Sequence, residues 1–357
     1  MGLHFYGNER ILLENKLLRV DLKREVFDMS KTGWIILIVC LVLVLCIAAG
    51  LLLAGRIFNA LLSTGSDTKV DVSDTKGYKD LKNEFSADGV YTVQLKDLKE
   101  LNIDWISGSV TVELTDEEAV RIVETAEKEI REKDALRYGE SNGTLRIQAC
   151  KKGYVGKLPE KELTVYLPRS LAKGLKECEI DTVSAAVTAG DLKLDELEID
   201  TVSGRVKLTN MVAEEAQVDS VSGAVSLLDS AIGSLRTDSV SGEVKVTGSV
   251  KKVKSSSVSG PFELTLDDCR DIRLNTMSGA MTLDLKTAPK DLRIDTTSGK
   301  IRLTLPQDAS CTIGLDAVSG KLYLNEEAVS GKQITLGDGE AAYDIDSTSG
   351  SVYVYTK

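Results

Sequence analysis

The stretch IDTVSGRVKL at residues 199–208 decides the fold, because close copies of it recur along most of the chain. The clearest copies are VDSVSGAVSL (218–227), TDSVSGEVKV (237–246), LNTMSGAMTL (274–283) and IDTTSGKIRL (294–303). An earlier copy, IDWISGSVTV at residues 103–112, opens the domain. The glycine of the Ser-Gly pair returns about every 19 residues, and a fixed period of this length is the signature of a repeat architecture.

Apolar residues alternate with polar ones on both sides of the Ser-Gly turn. The second and fourth residues after the turn are apolar, as in Val206 and Leu208, and so is the fifth residue before it, as in Ile199. Such period-two alternation predicts two short strands per repeat, each with one buried face. The repeat is too short for a four-stranded propeller blade and has no helical half. We therefore predict an all-β fold, a parallel β-solenoid of about 19-residue coils with like positions about 4.8 Å apart.

The turn glycines have a structural explanation, because a sharp turn between two strands needs a positive φ or a close approach that glycine allows. We assign this role to Gly204, Gly223, Gly242, Gly260, Gly279, Gly299, Gly320 and Gly350. Ala185 takes the same place in the first regular copy, so we expect that coil either to bend differently or to need no positive φ. The spacing rises to 30 residues between Gly320 and Gly350, so this end of the array is expected to be irregular.

An uncharged apolar run precedes the repeats. Residues 34–55 read WIILIVCLVLVLCIAAGLLLAG, and 22 residues at about 1.5 Å each span the hydrocarbon core of a bilayer. We predict a transmembrane helix over residues 33–56, since a cleaved signal peptide would have a shorter segment before it and a small-residue cleavage site after it. The flanking basic residues are Arg19, Lys23, Arg24 and Lys31 before the run and Arg56 and Lys69 after it. This asymmetry predicts a single-pass cell-membrane protein with a cytoplasmic N-terminus and an extracellular C-terminal domain.

The remaining segments follow from composition. Residues 1–32 form the predicted cytoplasmic tail, in which residues 11–27 mix apolar and charged side chains as a short amphipathic helix does. We predict a linker at 57–77, an N-terminal β region capping the solenoid at 78–170, and the solenoid repeats at 171–357. Within the β region, residues 116–136 have a helical composition, but VRIV inside this segment, LRIQA at 145–149 and LTVYL at 163–167 resemble strands, so we predict strands with one short helix.

The repeats resemble those of the bacterial putative-adhesin family of β-strand-repeat proteins, a domain family of unknown function. The resemblance covers about residues 101–355 and rests on the pattern Asp-Thr-Val-Ser-Gly-x-Val and on the Leu-Pro connection at Leu167 and Pro168. It implies a membrane-anchored member with a cell-surface β-repeat domain, of a kind associated with adhesion or with envelope-stress responses. It supplies no catalytic residues.

Composition argues against catalysis. The chain contains one histidine, His4, so Ser-His-Asp and Cys-His mechanisms lack their usual base, and histidine-rich metal sites are excluded. The net charge is −11 and no basic stripe is present, so nucleic acid is not a predicted partner. We therefore predict a protein that is not an enzyme and binds no cofactor.

An acidic column raises the question of a cation site. The column contains Asp181, Asp200, Asp219 and Asp238, each four residues before a turn residue. We interpret these residues as hydrogen-bond partners of the turn backbone, with a Ca²⁺ ladder as the alternative. The adjacent hydroxyls have the parity of the buried residues and predict an inward ladder at the corner. They are Thr182, Thr201, Ser220, Ser239, Ser257, Thr276 and Thr296.

The cysteines predict buried free thiols rather than disulfides. Cys40 and Cys46 fall in the predicted membrane helix, and Cys178 falls on an inward column. Cys269 and Cys311 are about two coils apart, or about 9.6 Å, which exceeds the reach of a disulfide.

Tyrosines near the C-terminus form the candidate binding surface. Tyr323 and Tyr353 both stand three residues after a turn glycine and therefore point outward, and Tyr343 and Tyr355 are near them in sequence. Two roles are open for Tyr323, Tyr343 and Tyr353. They contact a glycan or peptide, or they cover the exposed edge of the last coil.

The predicted function is a non-enzymatic, adhesin-like surface binding module on a membrane anchor. The alternative is an envelope-stress sensor or scaffold that signals through the cytoplasmic tail. The predicted partners are the membrane, a protein or glycan of the cell envelope or surface, and a second copy of the chain through the solenoid end.

Overall fold

The structure, a computed structural model, describes residues 85–151 and 158–357. The predicted cytoplasmic tail (1–32), transmembrane helix (33–56) and linker (57–77) lie outside the described residues, as do Cys40 and Cys46. Over the residues that are described, no helix is both long enough and apolar enough to cross a membrane.

Strands dominate because each repeat supplies two short alternating segments. The described ranges contain one helix, α1 (Arg169–Ala172), and 25 strands. Those of the N-terminal region are β1 (Val90–Val93), β2 (Glu100–Trp105), β3 (Gly108–Thr115), β4 (Val120–Thr125), β5 (Arg137–Ser141), β6 (Thr144–Gln148) and β7 (Lys161–Pro168). Those of the first regular repeats are β8 (Glu177–Thr182), β9 (Ala186–Gly190), β10 (Lys193–Thr201), β11 (Val206–Thr209), β12 (Val212–Ser220), β13 (Val225–Ser239), β14 (Val244–Ser257), β15 (Phe262–Leu266) and β16 (Asp271–Thr276). The rest are β17 (Met281–Leu285), β18 (Asp291–Thr296), β19 (Ile301–Leu305), β20 (Cys311–Ala317), β21 (Leu322–Leu324), β22 (Glu327–Ala328), β23 (Gln333–Leu336), β24 (Ala341–Ser347) and β25 (Val352–Thr356).

The strands form two parallel ladders, one on each side of the Ser-Gly turns. Ladder A contains the strands before the turns, in the spatial order β6, β2, β8, β10, β12, the C-terminal halves of β13 and β14, β16, β18, β24 and β20. Ladder B contains the strands after the turns, in the order β7, β3, β9, β11, the N-terminal halves of β13 and β14, β15, β17, β19, β25 and β21. Like positions pair in register, so Ile199 lies between Ile180 and Val218. The predicted all-β, solenoid-like fold is confirmed.

The core lies between the two ladders and is built from the predicted inward columns. Ile199, Val206 and Leu208 are completely buried, while Lys207 between the last two is exposed. Full burial of one such apolar side chain contributes about 1.5–3 kcal/mol relative to exposure. Each coil therefore adds several kcal/mol of apolar burial to the stack.

Close approach, and not a positive φ, explains the turn glycines. Gly204 and Gly223 are not among the glycines with positive φ. A Cβ at Gly204 would lie 1.9 Å from the carbonyl oxygen of Ala185, and a Cβ at Gly223 would lie 1.9 Å from the carbonyl oxygen of Gly204. Ala186, the residue after Ala185, pairs with Ser109, the residue after Gly108, and Gly108 does have a positive φ, 94°. The backbone path therefore differs between the coil of Gly108 and that of Ala185, and the methyl group of Ala185 fits there.

The hydroxyl column fixes the corner of each coil. The amide of Gly204 donates to Oγ1 of Thr201 at 2.9 Å, and the amide of Gly260 donates to Oγ of Ser257 at 2.8 Å. Elsewhere the hydroxyl donates instead, as Ser220 does to the carbonyl oxygen of its own turn glycine at 2.9 Å. The predicted inward ladder is thus confirmed, and it satisfies turn backbone groups that the strands do not pair.

Spatial order and chain order differ at both ends of the stack. β24 lies between β18 and β20, and β25 lies between β19 and β21, so the last coil of the chain occupies the penultimate place. At the other end β6 and β7 lie outside β2 and β3, which pair directly with β8 and β9. Cys269 and Cys311 are consequently three coils apart, and the expected separation of two coils is wrong.

Antiparallel strands cover both ends of the ladders. β23 pairs with β20 and β22 with β21 at one end, and β5 pairs with β6 and β4 with β7 at the other. The strand predicted from VRIV within residues 116–136 is confirmed as β4, whereas the short helix predicted in the same segment is wrong, since these residues contain no helix. Val120 and Ile122 alternate inward along β4 and are completely buried, and this period-two pattern outweighs the helical composition of the flanking residues.

A buried ion pair joins the strands of the N-terminal region. Nζ of Lys161 lies 2.6 Å from Oε1 of Glu124, and both side chains are almost completely buried. Nζ also donates to the carbonyl oxygens of Asp134, at 2.7 Å, and Ala149. All three ammonium protons thus have acceptors, as a buried charge requires, and the cluster has a structural role.

Candidate functional site

Two stacked tyrosines lie on the outer surface of ladder B near its C-terminal end. Tyr353 of β25 and Tyr323 of β21 are direct cross-strand neighbours. Their ring centroids are 4.6 Å apart and their planes differ by 3°. Both side chains are half-buried, so each ring keeps part of its surface in contact with solvent. The structure confirms the outward orientation of Tyr323 and Tyr353 that their position after the turn glycines predicts.

Cations and a third tyrosine border the stack. Nζ of Lys300 lies 4.2 Å from the ring centroid of Tyr353, and Arg302 of β19 pairs in register with Tyr353. The hydroxyl of Tyr355 donates to Oε1 of Glu326 at 2.6 Å, and this hydrogen bond raises the pKa of Tyr355. We call Lys300, Arg302, Tyr323, Tyr353 and Tyr355 the tyrosine patch.

The tyrosine patch combines two chemical features that suit a ligand. Stacked aromatic rings offer rigid apolar area with hydroxyl groups at the rim, and a cation at 4.2 Å from a ring adds a positive charge held in place by the π system. Lys300 and Arg302 are both exposed. The arrangement can bind an apolar ring face and an acidic group side by side.

Tyr343 is not part of this surface. Its side chain is completely buried in ladder A, and its hydroxyl donates to the carbonyl oxygen of Pro289 at 2.7 Å. Burial raises the pKa of this hydroxyl. The predicted surface role of Tyr343 is therefore wrong. The sequence contains a signal for the burial of Tyr343, because this residue stands seven residues before Gly350. The inward Cys178 stands at the same place, seven residues before Ala185.

The acidic column lies on the outer surface of ladder A. Asp181, Asp200 and Asp219 are neighbours in register, and all three are half-buried. Burial and then neighbouring carboxylates raise the pKa of Asp181 to about 8 and that of Asp200 to about 7. These carboxylates repel one another along the column, where neighbouring strands bring them within about 4.8 Å.

The acidic column was expected to bond the backbone of the turns, and its hydrogen bonds in the structure are different. Oδ1 of Asp219 accepts from the amide of Asp238 at 3.1 Å, which is the next residue along the column and not a turn. The turn amides are bonded by the hydroxyl column, as at Gly204. Among the described residues, no group of three or more His, Cys, Asp or Glu side chains is placed to hold a metal ion.

The described cysteines are free thiols. Cys178, Cys269 and Cys311 are buried and Cys150 is partly buried. Burial raises the pKa of Cys178 and of Cys269 to about 12, so both stay protonated and unreactive at neutral pH. The prediction of buried free thiols is confirmed for these three.

Sequence reasoning missed two members of the tyrosine patch. It did not associate Lys300 or Arg302 with the tyrosines, because both come 50 residues or more before Tyr353 in the chain. They meet Tyr353 only through the insertion of β25 beside β19. The shared position relative to the turn, which Arg302 and Tyr353 occupy equally, was the available signal.

One family model matches most of the chain. The model of the Toastrack DUF4097 family matches residues 98–355. A crystal structure of a "putative lipid binding protein" from Parabacteroides distasonis is 20% identical and aligns over 75% of this chain and 96% of that one, with a TM-score of 0.48. A crystal structure of a "putative adhesin" from Bacteroides fragilis is 13% identical over 78% and 98%, with a TM-score of 0.41. At these values neither likeness carries a functional argument. No curated protein matches the chain.

Proposed function

The chain belongs to the Toastrack DUF4097 family, and on this β-repeat scaffold we propose that it acts as a membrane-anchored, extracytoplasmic, non-enzymatic surface binding module. The tyrosine patch is its proposed binding site, and the ligand class is a cell-envelope glycan that carries acidic groups. The observation that carries the proposal is the half-buried, parallel stack of Tyr323 and Tyr353 with the Lys300 ammonium above the ring of Tyr353.

The chemistry of the patch favours a sugar over a flat apolar ligand. Pyranose rings present C–H groups on one face, which can pack against the parts of the two tyrosine rings that stay in contact with solvent, while their hydroxyl groups need hydrogen-bond partners at the ring edges. The hydroxyls of Tyr323 and Tyr353 stand at those edges. Lys300 and Arg302 would pair with a carboxylate or phosphate on the same chain of sugars.

The fold supports a binding role that needs no moving parts. The two stacked tyrosines lie on the last two strands of the parallel ladder, and the backbone of these strands is held on one side by β19 and on the other by the antiparallel β22. Rigid strands present aromatic side chains at little entropic cost. The predicted transmembrane helix over 33–56 would keep this surface at the outside of the cell.

The test compares the full-length protein with two tyrosine variants. The probes are a purified teichoic acid, a purified uronic-acid polymer and a neutral glucan, immobilised for surface plasmon resonance. We expect Y353A to weaken binding of an acidic polymer at least about 10-fold, in line with the loss of one aromatic anchor. The matched control is Y166A. Tyr166 also lies on ladder B under a guanidinium, that of Arg121 at 4.0 Å, but at the other end of the stack.

Two results would contradict the proposal. Equal binding by Y353A and Y166A would show that the patch is not the site. Binding that survives complete removal of glycans from a cell-envelope extract, and is lost on protease treatment of that extract, would identify a protein as the ligand instead. The alternative, a stress sensor or scaffold acting through residues 1–32, predicts that deletion of residues 1–29 abolishes a cellular response while glycan binding by the domain persists.

A further inference from the structure

The coil formed by β24 and β25 lies between two coils that precede it in the chain. β24 pairs with β18 on one side and with β20 on the other, and β25 pairs in the same way with β19 and β21. All four pairings are parallel. We call residues 341–357 the inserted coil, and the space that they fill between β18–β19 and β20–β21 the slot.

Apolar contacts hold the inserted coil in the slot. Its inward side chains Tyr343, Ile345, Val352 and Val354 are buried, and each lies between apolar residues of both neighbouring coils. The hydroxyl of Tyr343 also donates to the carbonyl oxygen of Pro289 at 2.7 Å. The slot is therefore a binding site for one kind of segment, two short parallel-pairing strands on either side of a Ser-Gly turn.

The two coils that border the slot also match each other. Their residues pair with the same positions of the inserted coil and thus have the same register. The matched inward pairs are Leu292 with Ile313, Ile294 with Leu315, Ile301 with Leu322 and Leu303 with Leu324. When the inserted coil leaves, β20 and β21 can stack directly on β18 and β19 with apolar residues still inside. Its withdrawal therefore does not require the rest of the stack to unfold.

A short loop carries the chain into the slot. β23 pairs with the outer side of β20, so residues 337–340 cross the start of β20 to reach the slot on its other side. Gly337 and Gly339 have a positive φ, 56° and 71°, and the amide of Glu340 donates to Oγ of Ser310 at 3.2 Å. Glycine also adopts extended conformations at little cost, and four extended residues reach about 13 Å. The same loop, once straightened, can deliver the inserted coil to a neighbouring molecule.

We propose that two copies of the chain exchange the inserted coil, so that residues 341–357 of each copy fill the slot of the other. The exchanged coil makes the contacts that it makes within one chain, so a two-fold dimer forms without any new interface. Tyr353 moves with the coil, whereas Lys300, Arg302 and Tyr323 stay with the slot. Each tyrosine patch of the dimer then contains side chains of both copies. The exchange itself does not depend on glycan binding.

Disulfide trapping between two different copies detects the exchange. Arg293 of β18 and Asp344 of β24 are neighbours in register, and a strand spacing of about 4.8 Å lies within the Cα separation that a disulfide spans. R293C and D344C are made in separate full-length chains in which Cys40, Cys46 and Cys150 are replaced by serine, and one chain carries an affinity tag.

The two variants are mixed in a non-ionic detergent at about 100 µM, because the competing loop within one chain acts at an effective concentration in the millimolar range. They are oxidised under conditions that close the disulfide of the double variant R293C/D344C. We expect a disulfide-linked heterodimer, since these two cysteines meet only when the coil of one copy enters the slot of the other.

The matched control replaces R293C by R273C in the same mixture. Arg273 is the neighbour of Arg293 on β16 and is similarly exposed, but it lies one coil further from the slot. Its distance from position 344 is about 9.6 Å, which exceeds the reach of a disulfide. We expect the R293C mixture to give at least about five times more heterodimer than the R273C mixture, because only its geometry suits a disulfide. Equal yields overturn the proposal, since random collisions treat both cysteines alike.

Shortening of the loop tests the exchange by a second measurement. Deletion of residues 338 and 339 leaves three steps of at most about 3.6 Å between Leu336 and Ala341, which is too short to pass around β20 to a strand about 9.6 Å away. Insertion within one chain is then blocked, while exchange remains open. We expect sedimentation equilibrium to show a larger dimer fraction for the deletion variant than for wild type. A deletion variant that stays monomeric contradicts the exchange.

Discussion

Replacement of one turn glycine by alanine tests whether close stacking of the turns holds the solenoid together. A Cβ at Gly242 would lie 2.0 Å from the carbonyl oxygen of Gly223 and 2.8 Å from its carbonyl carbon. Both atoms belong to the backbone, so no side chain can move away to make room. Relief needs a displacement of more than about 1 Å at a place where neighbouring coils are only about 4.8 Å apart. The hydrogen bonds of that corner, from the amide of Ser241 to Val221 and from the hydroxyl of Ser239 to Gly242, would stretch with it.

We expect G242A to destabilise the repeats by about 2–4 kcal/mol, the range of overpacking combined with one or two weakened buried hydrogen bonds. For a domain of this size each kcal/mol lowers the melting temperature by about 2–4 °C, so circular dichroism should record a loss of roughly 5–15 °C. The control is G314A. Gly314 lies on an outward position of β20, where a new Cβ would meet only one atom, at 3.9 Å. Equal melting temperatures for G242A and G314A would refute the argument that turn packing requires glycine.

Three further predictions concern the core and the acidic column. V225D should unfold the repeats at a much lower temperature than A224D, because Val225 is buried and Ala224 faces outward, and an unpaired buried charge costs several kcal/mol; equal melting temperatures would refute the register. Burial raises the pKa of Asp200 in the folded protein to about 7, above the ordinary value of 3.8, so ionisation of this carboxyl lowers the free energy of unfolding as pH rises from about 4 to 7. D200N should therefore be more stable than wild type by about 2 kcal/mol at pH 8 and equal to it below pH 4 in urea titrations, and a variant less stable at pH 8 would contradict this. EDTA should leave the melting temperature unchanged, whereas a rise of several degrees with Ca²⁺ would show that the acidic column binds cations.

The regular part of the solenoid could be predicted because its physics is local. Alternation across a strand assigns each residue to the inside or the outside, and the Ser-Gly position fixes where the alternation restarts. Ile199, Val206 and Leu208 follow from that rule, and so does the inward hydroxyl of Thr201. Each of these positions repeats in coil after coil, so one pattern determines them all.

The order of the terminal coils could not be read from the same pattern. A parallel ladder gains nearly the same hydrogen bonds and apolar burial whichever coil is added next, since the paired residues are alike in every copy. Which coil is added next depends on the segments that connect one coil to the next. The 29 residues between Gly320 and Gly350 contain β22 and β23, which fold back antiparallel and return the chain to the gap beside β18. Spacing indicated an irregularity at this end, but not that the final coil enters between two earlier ones.

The insertion of the last coil also determines the chemistry of the tyrosine patch. With coils stacked in chain order, Tyr353 would sit at the outer end of ladder B and Tyr323 would lie beside Arg302. In the structure Tyr353 takes the inner place, with Arg302 on one side and Tyr323 on the other. It is therefore the tyrosine that Lys300 covers, at 4.2 Å from its centroid. A site that joins a cation, two rings and a neighbouring hydroxyl thus arises from a topological feature, and this is why Tyr353 is the residue whose loss should weaken ligand binding most.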